Sequence, residues 1–373
     1  MTDQYCAHNQ LINDFIDENF EGIRAPFTAG FELTCKCNLN CVHCYAKPGR
    51  GHEDMTTNEF KNIFDTLVER GLLDCYFTGG EIFARSDFEE LYIHAKRRGV
   101  LISLLSNITL LSQKHIDLFK EYPVEVISTS MYGYNEELYE KVTGVRGSFK
   151  KFMNALELLQ KNDIKYELKF VAMEQNIDDL YKVREFGNKL GVPMVVILDV
   201  HPMSDGSMEP VALRLTPEQA FEFDVKDEGR NRFWKGVAKE LLTGEIQMRP
   251  QRTMERFNEG YLYPCSIANQ HVFITSDLKM QGCVRASYRK FDLRKGSFDE
   301  GWEYLQNEFI NKKSSAGYKC NKCENIRFCE HCVANFKLAY DDEEHVDPFF
   351  CRVAELRREF VEKEIKNLLD REK

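Results

Sequence analysis

Phe31-Glu32-Leu33-Thr34-Cys35-Lys36-Cys37-Asn38-Leu39-Asn40-Cys41-Val42-His43-Cys44 is the stretch on which the reading of this chain turns. An apolar, strand-like run from Phe27 to Thr34 feeds a loop that carries Cys37, Cys41 and Cys44 at CxxxCxxC spacing. Three thiolates on one loop can hold three irons of a 4Fe-4S cluster, and no further cysteine continues the series to close the fourth position. Zinc is the alternative. It would need Cys35 or His43 as a fourth ligand, and Cys35 stands only one residue from Cys37, a poor spacing for one small cation.

Outward from the loop, strand-like and helical segments alternate. Phe27–Thr34, Asp74–Thr78, Val100–Asn107, Val124–Ser130, Lys165–Met173 and Met194–Val200 are rich in β-branched and aromatic residues and read as six strands. Between them Thr56–Arg70, Ser86–Arg98, Ser112–Glu121, Ser148–Asn162 and Ile177–Leu190 place apolar residues three and four apart, with caps at Thr56, Asp87 and Ser112 and stops at Gly71, Gly99 and Gly191. Consecutive βα units predict a parallel sheet with right-handed crossovers. Glu167 and Lys169 alternate with Tyr166, Leu168 and Phe170, and Gly30, Glu32 and Thr34 alternate with Phe31 and Leu33. A sheet covered on both faces is apolar on both, so one polar face predicts a wet lumen and hence a partial (β/α)6 barrel. The alternative is that these charges sit at solvent-exposed strand ends. The second strand runs into Thr78-Gly79-Gly80-Glu81, whose glycines let backbone pass close to a small ligand. Active sites of βα barrels collect at this carboxyl end of the strands.

Composition sets bounds on function. The chain has 373 residues, 43% of them hydrophobic, which is ample for a folded core. Its net charge is −10 with no basic block longer than Lys96-Arg97-Arg98, so nucleic acid is excluded as a natural substrate class. No apolar run approaches a membrane span and Met1–Gln10 lacks the layout of an export signal, which predicts a cytoplasmic protein. Its 13 cysteines are odd in number and unevenly placed, pointing to metal ligation rather than a disulfide framework.

After Ser204 the alternation stops. Asp205-Gly206, Pro210 and Thr216-Pro217 mark a linker, and helical material extends to about Asn258. Tyr261–Cys351 shows little periodicity beyond a hairpin from His271 through Ser276-Asp277 to Cys283, yet holds seven cysteines: Cys265, Cys283, Cys320, Cys323, Cys329, Cys332 and Cys351. A region this irregular needs a staple, and its thiols supply one. An amphipathic helix over Arg352–Leu369 closes the chain. The expected divisions are 1–26, an extension; 27–205, the barrel; 206–258, bridging helices; 259–351, the cysteine-rich domain; and 352–373, the final helix.

Cys37, Cys41 and Cys44, followed one βα unit later by Gly79-Gly80-Glu81, resemble the radical S-adenosylmethionine superfamily over Phe27–Met203, and the later cysteines resemble its SPASM extension. The resemblance implies that the open iron chelates S-adenosylmethionine and that the reduced cluster generates a 5′-deoxyadenosyl radical. It places Gly79, Gly80, Glu81, Ser106, Asn107, Ser128 and Ser130 around the cofactor. It implies three 4Fe-4S clusters: one on the first loop, one auxiliary cluster on Cys320, Cys323, Cys329 and Cys351, and another on Cys265, Cys283 and Cys332, with His271 as one choice of fourth ligand. Auxiliary clusters suit a product radical that must lose an electron, so oxidative chemistry is expected on a peptide or protein, with Glu32, Glu167 and Lys169 as candidate substrate-facing catalytic groups. A thioether or carbon-carbon crosslink in a ribosomally made peptide is the leading expectation. Formylglycine formation as in sulfatase maturases, peptide epimerisation and a non-catalytic zinc protein are the alternatives; Val284, where sulfatase maturases carry aspartate, counts against the first of these. The resemblance also implies a flavodoxin or ferredoxin reductant. With fewer than thirty residues before the first strand, a fused recognition domain is not expected, and leader binding, if needed, falls to the barrel rim, the cysteine-rich region or a separate leader-binding protein. Cys6, Cys35 and Cys75 have no assigned role.

Overall fold

The structure is a computed structural model that describes residues 15–16, 19–20, 22–47, 51–244 and 256–371. Cys6 and part of the expected bridging helices fall outside these residues. Five βα units and a sixth strand follow one another as the alternation requires: β1 (Thr28–Glu32), α1 (Thr57–Glu69), β2 (Asp74–Thr78), α2 (Phe88–Arg97), β3 (Leu101–Leu105), α3 (Gln113–Glu121), β4 (Ile127–Ser130), α4 (Glu136–Thr143), α5 (Ser148–Lys161), β5 (Tyr166–Val171), α6 (Leu180–Leu190) and β6 (Met194–Ile197). The strands lie in the order β6-β5-β4-β3-β2-β1 and all pair in parallel, so the barrel is open.

The outward face of the sheet is its greasy side. Phe31 of β1 packs on Phe60 and Phe64 of α1 and on Phe77 of β2, with ring centroids 5.4 to 5.9 Å apart, and all four are fully buried. Burying each ring stabilises the fold by about 1.5–3 kcal/mol. Ala29, Leu33, Tyr166, Leu168 and Phe170 join the same core. The opposite face carries Gly30, Glu32, Ser128 and Glu167. Glu167 is only 4% exposed, so the polar face is an interior lumen wall and not a row of solvated strand ends.

Three departures from expectation extend the fold. The hairpin of β7 (His271–Ile274) and β8 (Lys279–Gln281), with β9 (Phe291–Asp292), is no appendage: β7 pairs in parallel with β1, which continues the barrel sheet to nine strands among the described residues. Helix α4 falls where no helix was expected, begun by Asn135, whose side chain accepts from the Leu138 amide, and ended by Gly144 in the left-handed region. The cysteine-rich stretch contains α9 (Phe298–Phe309), capped by a Ser297–Glu300 box, and α10 (Val333–Tyr340). Between barrel and hairpin run α7 (Pro217–Lys226) and α8 (Glu228–Thr243), against which the final helix α11 (Pro348–Arg371) packs. The buried Asp224 of α7 receives both Arg230 of α8 and Arg357 of α11, each at 2.7 Å.

Candidate active site

The loop after β1 is held from both sides. Asn40 and Val42 donate their amides to the carbonyls of Thr143 and Val142 at the end of α4, and a side chain at Gly144 would come within 2.9 Å of the Asn40 carbonyl. Asn38 donates to Thr109 at 2.7 Å and accepts from Asn107 at 3.1 Å. Asn107 also points its amide at Cys37 Sγ, 3.9 Å away, and the Leu39 amide donates to that sulfur at 3.4 Å. Cys37, Cys41 and Cys44 are all partly buried thiols outside any disulfide. Cys41 lies beside the buried hydroxyls of Tyr132 and Tyr139, which burial first and the thiol second push up. Three thiols on one braced loop, with amide donors aimed at a sulfur, suit three irons of a cluster whose sulfurs accept hydrogen bonds.

Gly79-Gly80-Glu81 lies directly against the base of this loop. The Gly80 amide donates to the Thr34 carbonyl and the Glu81 amide to that of Lys36, both at 2.8 Å. A Cβ on Gly80 would sit 2.2 Å from the Lys36 carbonyl oxygen, and Gly79 has φ of 151°. Only glycine permits this approach. Glu81 is fully buried and turns its carboxylate inward, accepting from Ser106 Oγ at 2.7 Å and from the amides of Asn107 and Phe83 at 2.8 and 3.1 Å. Burial pushes its pKa up to about 7, against the pull of these donors. Ser106 in turn accepts from the Ile108 amide. Glu81, Ser106 and Asn107 thus form one array running from the second strand to Cys37.

Deeper in the lumen, Ser128 donates to Glu167 at 2.6 Å, and burial raises the Glu167 pKa while Ser128 and Lys169 oppose it. Ser130 and Lys169 are register partners on β4 and β5. Glu32 spends its carboxylate on the β7–β8 turn, accepting from the Ser276 amide and hydroxyl at 3.0 and 2.9 Å. His271 lies 3.0 Å from Thr28 Oγ1 and stacks on Tyr76, and burial lowers its pKa to about 4.

The seven later cysteines fall into two neighbourhoods. Cys283 is pushed up to about 12, by burial and then by Cys332 and Cys265 beside it. Cys351 is raised by burial and then by Cys320 and Cys323, and Tyr318 lies against both Cys320 and Cys329. Sequence reading missed Arg285, Asp199 and Asn335, which join the first neighbourhood to the barrel. Arg285 ion-pairs with Asp199 beyond β6 at 2.8 Å and lies beside Cys332, and Asn335 donates to the same Asp199 oxygen at 3.2 Å. Tyr45, next to Cys44, packs on His201 at 5.0 Å. Arg214 donates to Asp347 and to the Val200 carbonyl, docking the start of α11 onto the end of β6. Arg285 follows Cys283 by two residues, which was the available sequence signal.

Residues 31–187 match the Radical SAM superfamily. The chain is 23% identical over 336 residues to an AdoMet-dependent heme synthase of Methanosarcina barkeri, covering 87% of this chain and 96% of that protein. It is 31% identical over 170 residues to the antilisterial bacteriocin subtilosin biosynthesis protein AlbA of Bacillus subtilis, covering 44% of this chain and 38% of that one. The structure of Streptococcus suis SuiB bound to its precursor peptide SuiA superposes with a TM-score of 0.69 at 14% identity, over 92% of this chain and 80% of that one.

Proposed function

The chain is a radical SAM superfamily enzyme, and from that premise we propose that it oxidatively modifies a ribosomally made peptide, installing a thioether or carbon-carbon crosslink. The observation that carries the proposal is the convergence at one end of the barrel. The CxxxCxxC loop, the Gly79–Glu81 segment and the Glu81-Ser106-Asn107 array meet there, while Arg285, Asp199 and Asn335 tie a second group of thiols to the same end. Relatives named for peptide work support the substrate class: AlbA belongs to subtilosin biosynthesis, and SuiB binds a precursor peptide.

In this reading Cys37, Cys41 and Cys44 hold a 4Fe-4S cluster. When bound, that cluster and S-adenosylmethionine supply a 5′-deoxyadenosyl radical that takes hydrogen from an unactivated carbon. Gly79 and Gly80 bring backbone to the methionine end of the cofactor. Glu81 keeps Ser106 and Asn107 in place, and Asn107 orients Cys37. Ser128 and Ser130 face the cofactor, and Glu167 and Lys169 line the lumen where the peptide segment enters, with Ser128 holding the Glu167 carboxyl at one position. Cys320, Cys323, Cys329 and Cys351 form one auxiliary set, and Cys265, Cys283 and Cys332 the other. Arg285, beside Cys332 and Cys283, provides a positive charge that favours retention of an electron there.

Co-expression with candidate precursor peptides and mass spectrometry tests the proposal: a loss of about two hydrogens per crosslink is expected, because both bonded atoms give one up. An unchanged mass across candidates counts against crosslinking, and deuterium uptake from heavy water would replace it with epimerisation. The end-to-end match with the heme synthase favours one other reading, chemistry on a tetrapyrrole. Anaerobic incubation with iron coproporphyrin and S-adenosylmethionine separates the two, since a changed porphyrin mass would establish the second reading.

A further inference from the structure

The first loop leaves the sheet at Cys35 and returns through His52 and Asp54 to α1. These three residues meet: one donor atom from each lies within 4.8 Å of the other two. None belongs to the CxxxCxxC set. We propose that Cys35, His52 and Asp54 bind one zinc ion that clips the base of the loop shut.

The groups behind the three donors are arranged as a metal site requires. Asp54 is fixed at both oxygens, accepting from Thr34 Oγ1 at 2.6 Å and from the Cys35 amide at 2.9 Å. Each oxygen still has a lone pair to offer. His52 Nε2 lies 2.7 Å from Ser276 Oγ, and that hydroxyl lies 2.9 Å from Glu32 Oε2. A carboxylate only accepts, so the Ser276 proton points at Glu32 and Oγ must accept from His52. The Nε2 nitrogen therefore carries the hydrogen and Nδ1 keeps its lone pair. A carboxylate relayed to one ring nitrogen, leaving the other for metal, is how ligating histidines are oriented. Cys35 is buried, with its thiol 3.4 Å from the His52 carbonyl. One sulfur, one imidazole and one carboxylate, completed by a water, suit zinc better than magnesium or calcium, which take oxygen alone.

The placement gives the ion a purpose. The carbonyls of Thr34 and Lys36, on either side of Cys35, receive the amides of Gly80 and Glu81. A clip between Cys35 and the returning chain fixes the strip of backbone on which that segment rests. It also closes a loop of sixteen intervening residues, limiting the freedom that such a loop otherwise keeps.

The test uses the full chain, purified and cluster-reconstituted without oxygen, dialysed against zinc and then zinc-free buffer. Metal analysis is expected to give about one zinc per chain, and zinc-edge X-ray absorption one sulfur at about 2.3 Å with nitrogen or oxygen filling the rest. Cys35→Ser and Asp54→Asn should each lower bound zinc at least tenfold with iron content unchanged, while Cys75→Ser changes neither. If Cys35→Ser does not fold, His52→Gln, whose parent side chain is only partly buried, reads the same loss. Ser276→Ala should weaken zinc about 10- to 100-fold, the usual effect of removing a ligand's supporting partner. Zinc in a four-sulfur shell, zinc far below one per chain, or zinc retained in both Cys35→Ser and His52→Gln would overturn the proposal. Deoxyadenosine release is read separately, so loss of zinc and failure of the radical chemistry remain distinguishable.

Discussion

The two cysteine-bearing regions are built on opposite principles. At the amino side, regular structure comes first: Cys37, Cys41 and Cys44 hang on a loop fixed by parallel strands, α4 and the Asn38-Asn107-Thr109 contacts. At the carboxyl side, Cys320 to Cys332 occupy 3₁₀ turns and short connections, with Cys320 and Cys329 buried and Cys323 and Cys332 partly so. In the first region the scaffold positions the thiols; in the second, under the proposed reading, bound clusters would let the thiols position the scaffold. Removing sulfur from either region therefore has different consequences.

The largest effect falls on activity alone. Replacing Cys37, Cys41 or Cys44 with alanine should abolish reductive release of 5′-deoxyadenosine, beyond the roughly 100-fold cost of losing a supporting contact. Circular dichroism and thermal melting should stay near wild type, because these thiols carry little of the core. Collapse of the barrel in such a variant would break the contrast. Next comes Cys329→Ala, where structure should fail before chemistry at the first loop does. Iron should fall from about twelve to about eight per chain, and limited proteolysis should open the Cys320–Cys332 stretch while 27–205 resists. Equal protease resistance in both regions would show that the second needs no staple.

The same contrast explains what the sequence made legible. The barrel could be read because its strands and helices are local patterns with caps, such as the Thr56–Glu59 box of α1, and the first motif because its thiols are contiguous. The pairing of β7 with β1 could not, since it joins segments more than two hundred residues apart with no pattern linking them. Helix α4 escaped because it spans eight residues, although Asn135 and Gly144 mark its ends. In the second region α9 stands alone amid irregular chain, marked at its start only by the Ser297–Glu300 capping box. Candidate side chains fared according to reach. Glu81, Ser106 and Asn107 do gather, but a sequence cannot show that Glu81 faces Ser106, nor that Glu32 turns to Ser276.

Glu81 sharpens the comparison at intermediate size, because it belongs wholly to the scaffold side. Its pKa in the folded chain, raised to about 7 from 4.5 chiefly by burial, means that the folded state binds more protons than the unfolded one between those values. Stability from this group is then fully present below about 4.5 and declines as pH rises through about 7, by on the order of 3 kcal/mol over the full interval. Thermal melts from pH 5.5 to 8 should show that decline, and Glu81→Gln should flatten it. The same variant leaves one amide donor facing another, a loss of about 1–3 kcal/mol, and should weaken S-adenosylmethionine binding through Ser106 and Asn107. An unaltered pH slope would remove Glu81 from the account.

The smallest effect lies on the seam between the regions, where Arg294 beyond β9 bonds Glu59 of α1 at 2.7 Å. The Glu59 carboxyl is held down to about 2, first by Arg294 and then by Thr56, against a modest burial penalty. A folded pKa below 4.5 gives stability that is present above 4.5 and lost as pH falls through about 2. Arg294 is exposed and Glu59 partly so, which lets solvent screen the pair, and Arg294→Ala should cost no more than about 1 kcal/mol. The Thr56–Glu59 capping box survives that substitution, so α1 keeps its start and the Glu59 pKa should recover only part of the way toward 4.5. A titration of Glu59 by NMR in both proteins reads this directly. Full recovery would assign the depression to the seam alone, whereas partial recovery places the remainder in α1's own cap, on the side of the molecule where local structure comes first.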